Sequence, residues 1–223
     1  MQVRNSLARK GGRREPPNLP PLPPSQSFDM MGAPTAFSRN EEIFGEGEPA
    51  EYLYKVKAGG VRTFNTLNDG RRQIGAFYLP GDIFGLEARD RYSVSAEAIT
   101  RSRILAVKRT EIMARAADDV ATVQLVLDLT TKELQRTQGH ILLLLKTAQE
   151  RVVGFLLELA THEDNHDDFE LRMTRQDIAD YLGLTIETVS RTLTRLESVS
   201  AISLPSSRHV ILCNRPALER LNS

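Results

Sequence analysis

The first half of the chain, from about residue 43 to residue 107, consists of short runs of β-forming residues separated by turn signals. Asn68-Asp69-Gly70 indicates a hairpin turn and Pro80-Gly81-Asp82 a second turn, because these residue types adopt the backbone angles that tight turns require. The β-forming runs cover residues 52–56, 60–64, 74–79 and 104–107. Strands at this spacing predict an antiparallel barrel or jelly roll, called the β-roll below.

After Arg109 the hydrophobic period changes to that of a helix, and no proline occurs between Pro80 and Pro205. Apolar or small side chains recur at alternating intervals of three and four residues, which predicts one long helix over residues 110–146 with a heptad seam. The residues of this seam are Val120, Val123, Leu127, Thr130, Leu134, Thr137, Ile141 and Leu144.

Two partners for the seam are open. An amphipathic helix often packs against its own domain, which here is the β-roll. This seam is sustained over more than three heptads and joins two domains, which favours pairing with a second copy of the chain. We therefore expect a homodimer whose contacts come from Val120, Val123, Leu127, Thr130, Leu134 and Ile141.

Two short helices joined by a glycine turn are predicted near the C-terminus, after another helix over residues 149–160. Thr174 is a suitable N-cap with Asp177 three residues later, and the helix over residues 175–181 stops at Gly183. Thr185 then caps the second helix. Inward-facing apolar or small side chains complete a helix-turn-helix, namely Ile178, Ala179, Leu182, Leu184, Val189 and Leu193.

The outward face of the second helix has chemistry suited to reading DNA bases. A glutamate accepts a hydrogen bond from cytosine N4, an arginine bonds guanine O6 and N7, and serine or isoleucine lies against a base edge or a thymine methyl group. Glu187 and Arg191 are also spaced to hold each other along the helix. The predicted base-reading residues are Ile186, Glu187, Ser190 and Arg191.

A β-hairpin after the second helix is predicted to form the wing of a winged helix-turn-helix. Its strands cover residues 201–204 and 208–212, with a turn at 205–207. Cys213, near the end of the hairpin, is either a redox-sensitive thiol or, as we expect, an inert and partly buried one. The side chains predicted to contact DNA phosphates are Arg175, Thr185, Arg195 and Arg208.

The composition excludes several classes of protein but gives no support for DNA binding. The formal net charge is zero, so nucleic-acid binding must come from local motifs. The single cysteine excludes an intramolecular disulfide and an iron-sulfur cluster. The N-terminus has no signal-peptide core, and the longest apolar run, residues 141–145, is far shorter than the roughly 20 residues of a membrane span. We expect a cytoplasmic protein without a membrane partner.

These patterns divide the chain into four segments of an α+β protein. Residues 1–27 are basic and proline-rich and are predicted to form a disordered tail. Residues 28–109 form the β-roll, 110–146 the dimerisation helix and 147–223 the winged helix-turn-helix. The acidic stretch 162–168 is predicted to be a solvated loop without a metal. No phosphate loop, nucleophile elbow or metal-ligand spacing indicates an enzyme.

From Phe37 to Leu221 the sequence resembles the CRP/FNR superfamily of bacterial transcription regulators. The resemblance rests on Phe77-Tyr78-Leu79-Pro80-Gly81-Asp82, on the long helix, and on the segment from Arg175-Gln176-Asp177-Ile178-Ala179 to Glu187-Thr188-Val189-Ser190-Arg191. It implies a β-roll of the cyclic-nucleotide-binding type. The E-x-x-S-R motif is similar to that of the FNR and FixK branches, and this implies a target close to a TTGAT half-site facing its inverted copy.

The sequence departs from the ligand-binding members of this superfamily. Members that bind cyclic AMP carry Gly-Glu-Leu and then Arg-Ser, whereas this chain reads Gly85-Leu86-Glu87-Ala88-Arg89 and then Tyr92-Ser93-Val94-Ser95. The oxygen-sensing members carry an N-terminal cysteine cluster that this chain lacks. The resemblance is therefore to the FixK type, which implies an activator of microoxic respiration and nitrogen-fixation genes that works without a cofactor.

In the superfamily, surface loops of the β-roll contact RNA polymerase. The stretch from Glu87 to Arg91 is expected to be exposed, and the candidates for this contact are Glu87, Arg89 and Asp90. Two other functions stay open: a member of the superfamily gated by an unidentified small effector, and a cyclic-nucleotide-type regulatory subunit that controls a partner enzyme.

Overall fold

The computed structural model describes Phe28 and residues 32–162 and 167–222. The predicted tail over residues 1–27 lies outside these ranges, as do residues 163–166 of the predicted acidic loop.

The β-roll consists of two four-stranded antiparallel sheets, as predicted. Its strands are β1 (Pro34–Phe37), β2 (Glu42–Phe44), β3 (Tyr52–Ala58), β4 (Val61–Thr66), β5 (Arg72–Tyr78), β6 (Ile83–Phe84), β7 (Ser95–Ala98) and β8 (Ser102–Lys108). One sheet has the order β1-β8-β3-β6 and the other β2-β7-β4-β5. The four predicted runs correspond to β3, β4, β5 and β8. The other four strands have two to four residues each, which is too short for a pattern of alternation to show.

Both predicted turns are present in the β-roll. Strands β4 and β5 form a hairpin in which the Gly70 backbone N–H donates to the Leu67 carbonyl oxygen at 2.9 Å. Gly70 has φ +82° and Gly81 has φ +97°, a left-handed region that favours glycine. At the second turn a carboxylate oxygen of Asp82 accepts the Leu79 backbone N–H at 2.9 Å, which closes the turn.

The prediction of a single helix over residues 110–146 is wrong. Two helices occupy this region, α1 (Arg109–Ala116) and α2 (Val120–Leu144), and the chain is not helical at residues 117–119. The cause is Asp119, whose extended backbone (φ −127°, ψ 102°) starts α2 and whose carboxylate accepts the Ala121 backbone N–H at 3.1 Å. Aspartate favours such caps over helix interiors because its short side chain bonds nearby backbone N–H groups.

Helix α2 presents two apolar faces, and only one of them packs on the β-roll. Leu125, Val126 and Leu129 contact a core cluster of the β-roll that contains Phe28 and Ile112. The predicted seam lies on the other face, where its five large apolar side chains are between 49% and 84% exposed: Val120, Val123, Leu127, Leu134 and Ile141. Thr130 and Thr137 are also exposed. The alternative in which the β-roll of the same chain buries the seam is therefore wrong.

The C-terminal part folds into a helical core with a three-stranded sheet. Its elements are α3 (Ala148–Ala160), β9 (Asp168–Glu170), α4 (Arg175–Leu182), α5 (Ile186–Ser198), β10 (Ile202–Ser203), β11 (His209–Leu212) and α6 (Arg215–Leu221). The sheet order is β10-β11-β9. Strand β9 corrects the prediction that the loop extends to Asp168. Only Phe169 of this strand is buried, so its sequence carries no hydrophobic run.

The β-roll and the C-terminal part share a continuous hydrophobic core. Phe64 and Ile74 of the β-roll belong to the same buried cluster as the core of α3, α4 and α5. The Tyr181 ring of α4 lies 5.3 Å from the Phe77 ring of β5, measured between centroids. His140 of α2 stacks on Tyr181 with a centroid distance of 4.0 Å. Helix α4 is thus packed against both the β-roll and α2.

Candidate nucleic-acid interface

Helix α4 begins and ends as its sequence predicts. The Thr174 hydroxyl accepts the Asp177 backbone N–H at 3.1 Å, and the Asp177 carboxylate accepts the Thr174 backbone N–H at 2.9 Å. This reciprocal pair is a capping box, which satisfies two backbone donors at the start of the helix. At the other end Gly183 takes the left-handed conformation with φ +62°, and the chain turns into α5.

Helix α5 has one buried face and one exposed face. Val189, Leu193 and Leu196 are buried and fix the helix in the core, and the Thr185 hydroxyl accepts the Thr188 backbone N–H at 3.2 Å as its cap. The structure brings the four predicted base-reading side chains together on the exposed face: Ile186, Glu187, Ser190 and Arg191. Leu184 is only half-buried at the edge of the core, because it lies in the turn before the helix.

The expected pairing of the Glu187 and Arg191 side chains does not occur. Arg191 Nε instead donates to the backbone carbonyl oxygen of Glu187 at 3.4 Å. The Glu187 carboxyl has its pKa lowered by its own backbone N–H first, then by the Thr185 hydroxyl and by the charge of Arg191. The carboxylate is therefore ionised at neutral pH and available as an acceptor, while the guanidinium is available as a separate donor.

The predicted phosphate contacts fall into two groups. Thr185, Arg195 and Arg208 are exposed. Arg175 is half-buried, and its Nη2 donates to the Ser207 carbonyl oxygen in the wing at 3.2 Å. Burial also lowers the pKa of Arg175. Arg175 thus connects the start of α4 to the wing, a role that its position in the sequence does not indicate.

The wing is an antiparallel hairpin in which Ile202 pairs with Leu212 and Ser203 with Ile211. Its turn is closed by the Ser206 hydroxyl, which accepts the backbone N–H groups of Arg208 and His209 at 3.3 and 3.1 Å. The expectation that Cys213 is partly buried is wrong. Its side chain is exposed, because it follows the last paired residue of β11.

The interior of the β-roll does not fit a cyclic nucleotide. The rings of Phe44 and Tyr92 stack with centroids 3.8 Å apart, and Phe84 lies 5.0 Å from Tyr78. Burial among these rings raises the pKa of Tyr54. A cavity of about 310 Å³ remains between the sheet and α2, and the described residues that line it include the carboxylates of Glu87 and Glu133 but no arginine or lysine. A cyclic phosphate would meet two carboxylates there and no arginine or lysine.

The loop proposed to contact RNA polymerase is only partly exposed. Glu87 is half-buried and its carboxylate accepts the backbone N–H and the hydroxyl of Ser93 at 2.9 and 2.7 Å, so the expectation that it is exposed is wrong. The reason is that the loop folds back on itself before β7. Arg109 donates to the carbonyl oxygens of Glu87 and Arg89 and holds the loop against the β-roll. Arg89 and Asp90 are exposed.

One polar contact between the two parts of the chain was not anticipated. Arg62 in β4 is 4% exposed, and its Nη1 donates to Asp177 in α4 at 2.7 Å. Sequence reasoning gave Asp177 only its capping role and did not single out Arg62. The available signal was an arginine inside the β-forming run 60–64, where such a charge needs a partner if it is buried.

Among the residues that the structure describes, no group of three or more histidine, cysteine, aspartate or glutamate side chains is arranged to hold a metal ion. None of the helices within the described ranges is both long enough and apolar enough to pass through a bilayer.

Two family models match the chain. Residues 34–119 match the cyclic nucleotide-binding domain, and residues 150–221 match the Crp-like helix-turn-helix domain. The winged helix-turn-helix and the β-roll described above are the structures of these two regions.

The chain is also similar to individual regulators. It is 52% identical over 206 residues to the nitrogen fixation regulation protein FixK of Azorhizobium caulinodans, covering 90% of this chain and 83% of that protein. FixK of Rhizobium meliloti is 38% identical over 186 residues, with 83% and 85% covered. The solved structure of FixK2 from Bradyrhizobium japonicum matches with a TM-score of 0.83 and 44% identity, covering 86% of this chain and 98% of that one. These relatives are transcription regulators and not enzymes. The chain therefore belongs to the CRP/FNR family of DNA-binding transcription regulators and to its FixK-like branch.

Proposed function

We propose that this protein is a transcriptional activator that binds a TTGAT-type inverted repeat as a homodimer. The observation that carries the proposal is the exposed face of α5, which holds Ile186, Glu187, Ser190 and Arg191. This face is called the reading face below, and α5 the reading helix. A carboxylate and a guanidinium one helical turn apart can read a cytosine and a guanine, while the serine and isoleucine lie against neighbouring base edges. Thr185, Arg195 and Arg208 are the proposed contacts with DNA phosphates. Arg175 holds the wing in place.

The exposed seam of α2 supports the homodimer. Five large apolar side chains on one face of a helix are unfavourable in water, and a second copy of the same helix would bury them in a twofold arrangement. A symmetric pair of reading helices matches an inverted repeat, because each chain then reads one half-site.

The β-roll acts in this proposal without a bound cofactor. Aromatic rings stack in its interior, and the described residues that line the cavity of about 310 Å³ beside α2 include no arginine or lysine for a phosphate. Activity would then follow the amount of protein made. Arg89 and Asp90, which are exposed on the β-roll, are the proposed contacts with RNA polymerase.

The relatives named above as nitrogen fixation regulators support a matching role for this chain. We infer that it acts in the cytoplasm and activates genes of microoxic respiration and nitrogen fixation. Loss of the gene product would then reduce transcription from promoters that carry the inverted repeat.

The decisive experiment selects bound sequences from a random DNA pool with the purified full-length protein. The expected product is a two-part motif with TTGAT-type half-sites related by twofold symmetry. Enrichment of a single unpaired half-site would contradict the homodimer, and no enrichment would contradict sequence-specific binding.

A second measurement separates the effector-free mechanism from a ligand-gated one. Cyclic AMP and cyclic GMP are titrated while affinity for the selected duplex is followed, because an activating ligand must bind the DNA-competent state more tightly. We expect no change in affinity. A saturable increase would favour the ligand-gated alternative.

A further inference from the structure

A buried ionic network joins the β-roll to the helix-turn-helix. Arg62 of β4 donates from Nη1 to Asp177 Oδ1 at 2.7 Å, across 115 positions of sequence. Its Nη2 donates to Glu97 Oε2 at 2.5 Å and to Asn40 Oδ1 at 3.4 Å, both within the β-roll. The Arg62 and Asp177 side chains are 5% and 4% exposed. One guanidinium thus bonds both parts of the chain at once.

Asp177 is itself fixed in place by the start of α4. Its Oδ2 accepts the backbone N–H and the hydroxyl of Thr174 at 2.9 and 2.7 Å, and its Oδ1 accepts from Arg62. Both oxygens are therefore used, one by the helix and one by the β-roll. A displacement of α4 relative to β4 cannot keep both sets of bonds, because hydrogen bonds weaken steeply with distance and angle.

The β-roll and the helix that carries the seam form one block. Asp82 of the β-roll bonds Lys132 of α2 at 2.9 Å and lies 3.4 Å from Arg136 of the same helix. The position of the reading helix relative to the seam therefore depends on how α4 is seated on this block. In a dimer that reads two half-sites, this seating sets the separation of the two reading helices, which must match about one turn of DNA.

We propose that Arg62 is a positioning residue that sets the half-site spacing this regulator recognises, by holding Asp177 and hence the helix-turn-helix at one place on the β-roll. This inference rests on the proposed function. Arg62 also bonds Glu97, but the buried Asp177 carboxylate would lose the Arg62 charge in any other seating. Loss of an ionic partner by a buried charge is strongly unfavourable, so the seating in which Arg62 and Asp177 meet is favoured over neighbouring ones. Arg62 does not touch DNA in this proposal and acts only through α4.

The test is spacing selectivity, which a general loss of stability would not change. Affinities of the full-length protein are measured for inverted repeats with the selected spacing and with one base pair added or removed. Arg62→Met should lower affinity for the selected spacing about tenfold or more and should reduce the preference over the altered spacings by a similar factor, because the reading helices are no longer held at one separation. Discrimination against a mutated base within a half-site should be unchanged.

The matched control is Arg72→Gln. Arg72 also approaches Glu97, at 3.5 Å, but the contact stays within the β-roll and the side chain is 35% exposed. This variant should keep the spacing preference of the original protein. If Arg72→Gln relaxes the spacing preference as much as Arg62→Met does, the effect comes from charge on the β-roll and not from the bond to α4. The inference is then overturned.

A second variant covers the case in which Arg62→Met fails to fold. Asp177→Asn retains an oxygen for the cap on Thr174 but removes the charge that meets Arg62, so it should relax the spacing preference in the same way. In the double variant the two effects should not add, because both remove one interaction. If the original protein shows no preference for inverted repeats, both the proposed function and this inference are wrong. If the original protein has a spacing preference and both variants retain it, only this inference is wrong.

Discussion

Arg191 bonds the backbone of Glu187 and not its side chain, through a contact of 3.4 Å from Nε to the carbonyl oxygen. The two charged groups that lie one turn apart on the reading helix therefore do not neutralise each other. Each can meet its own base, because a carboxylate that is not engaged in an ion pair can accept from cytosine and a guanidinium with both amino groups available can bond guanine through two donors. In the proposed function, the exposed face of α5 therefore offers two independent polar groups to DNA.

Replacing Arg191 should remove the preference for one guanine. Arg191→Ala is expected to cost about 1 to 3 kcal/mol of specific binding and to leave affinity for random duplexes nearly unchanged. Arg208→Ala, at the rim of the wing, should weaken binding to specific and random duplexes alike, since a phosphate contact carries no sequence information. Titration of both variants against both duplexes measures the difference. Equal losses for the two variants on both duplexes would contradict the division of roles.

Cysteines placed on the seam should trap a covalent dimer. The background is Cys213→Ser, because the native thiol is exposed and would form its own cross-links. Val123→Cys and Leu127→Cys bring equivalent positions of two chains within reach of a disulfide if α2 pairs with its twofold copy. Gln135→Cys, also exposed but outside the seam, is the control and should stay monomeric under mild oxidation. Recovery of monomer alone from both seam variants on a denaturing gel would refute the seam.

The free energy of unfolding at acid pH should depend on the carboxyl group of Asp82. Burial alone would raise the pKa of this carboxyl, but Arg136, the Leu79 backbone N–H and Lys132 together lower it below its usual range. A carboxyl with a lowered pKa in the folded state adds stability above its unfolded pKa of about 3.9, and this contribution is lost as the pH falls through the folded value. Asp82→Asn should lower the free energy of unfolding by about 1 to 3 kcal/mol at pH 7.

The difference between Asp82→Asn and the original protein should shrink as the pH falls below about 4, because the carboxyl is protonated first in the unfolded chain and only at lower pH in the folded one. Urea unfolding at pH 7 and at several acid values measures it. The control is Asp128→Asn, which removes an exposed carboxylate of α2 that bonds only Gln124 in the described structure and should change little at any pH. A difference that stays constant from pH 7 to pH 3 would contradict the electrostatic origin.

Truncation of the core beneath the reading helix should destabilise the fold. Leu193 is 1% exposed, and Leu193→Ala leaves a cavity between α5 and its neighbours that should cost about 2 to 5 kcal/mol of unfolding free energy. The same change at Leu67, which is 41% exposed in the β4–β5 turn, should cost less than about 1 kcal/mol. Thermal or urea unfolding compares the two. Similar losses would mean that α5 is not anchored by this residue.

Most of the architecture can be predicted from local patterns in the sequence. The turns at Gly70 and Gly81, the caps at Thr174 and Thr185, and the reading face of α5 follow from short-range rules, because each depends on residues within one turn of each other. The seam of α2 is also visible in the sequence, since its periodicity is set by the helix itself. The strands that pattern missed, such as β6 and β9, have two or three residues and exist only because longer strands beside them supply hydrogen-bond partners.

Only the tertiary structure decided what happens between distant segments. The sequence places Arg62 and Asp177 more than a hundred residues apart, and no local rule relates them. The same holds for the partial burial of Glu87 by its own loop and for the link from Arg175 to the wing. Side-chain partners of this kind depend on how whole sheets and helices pack. The sequence therefore determined which helix carries the proposed base-reading side chains, and the packing determined how that helix is held.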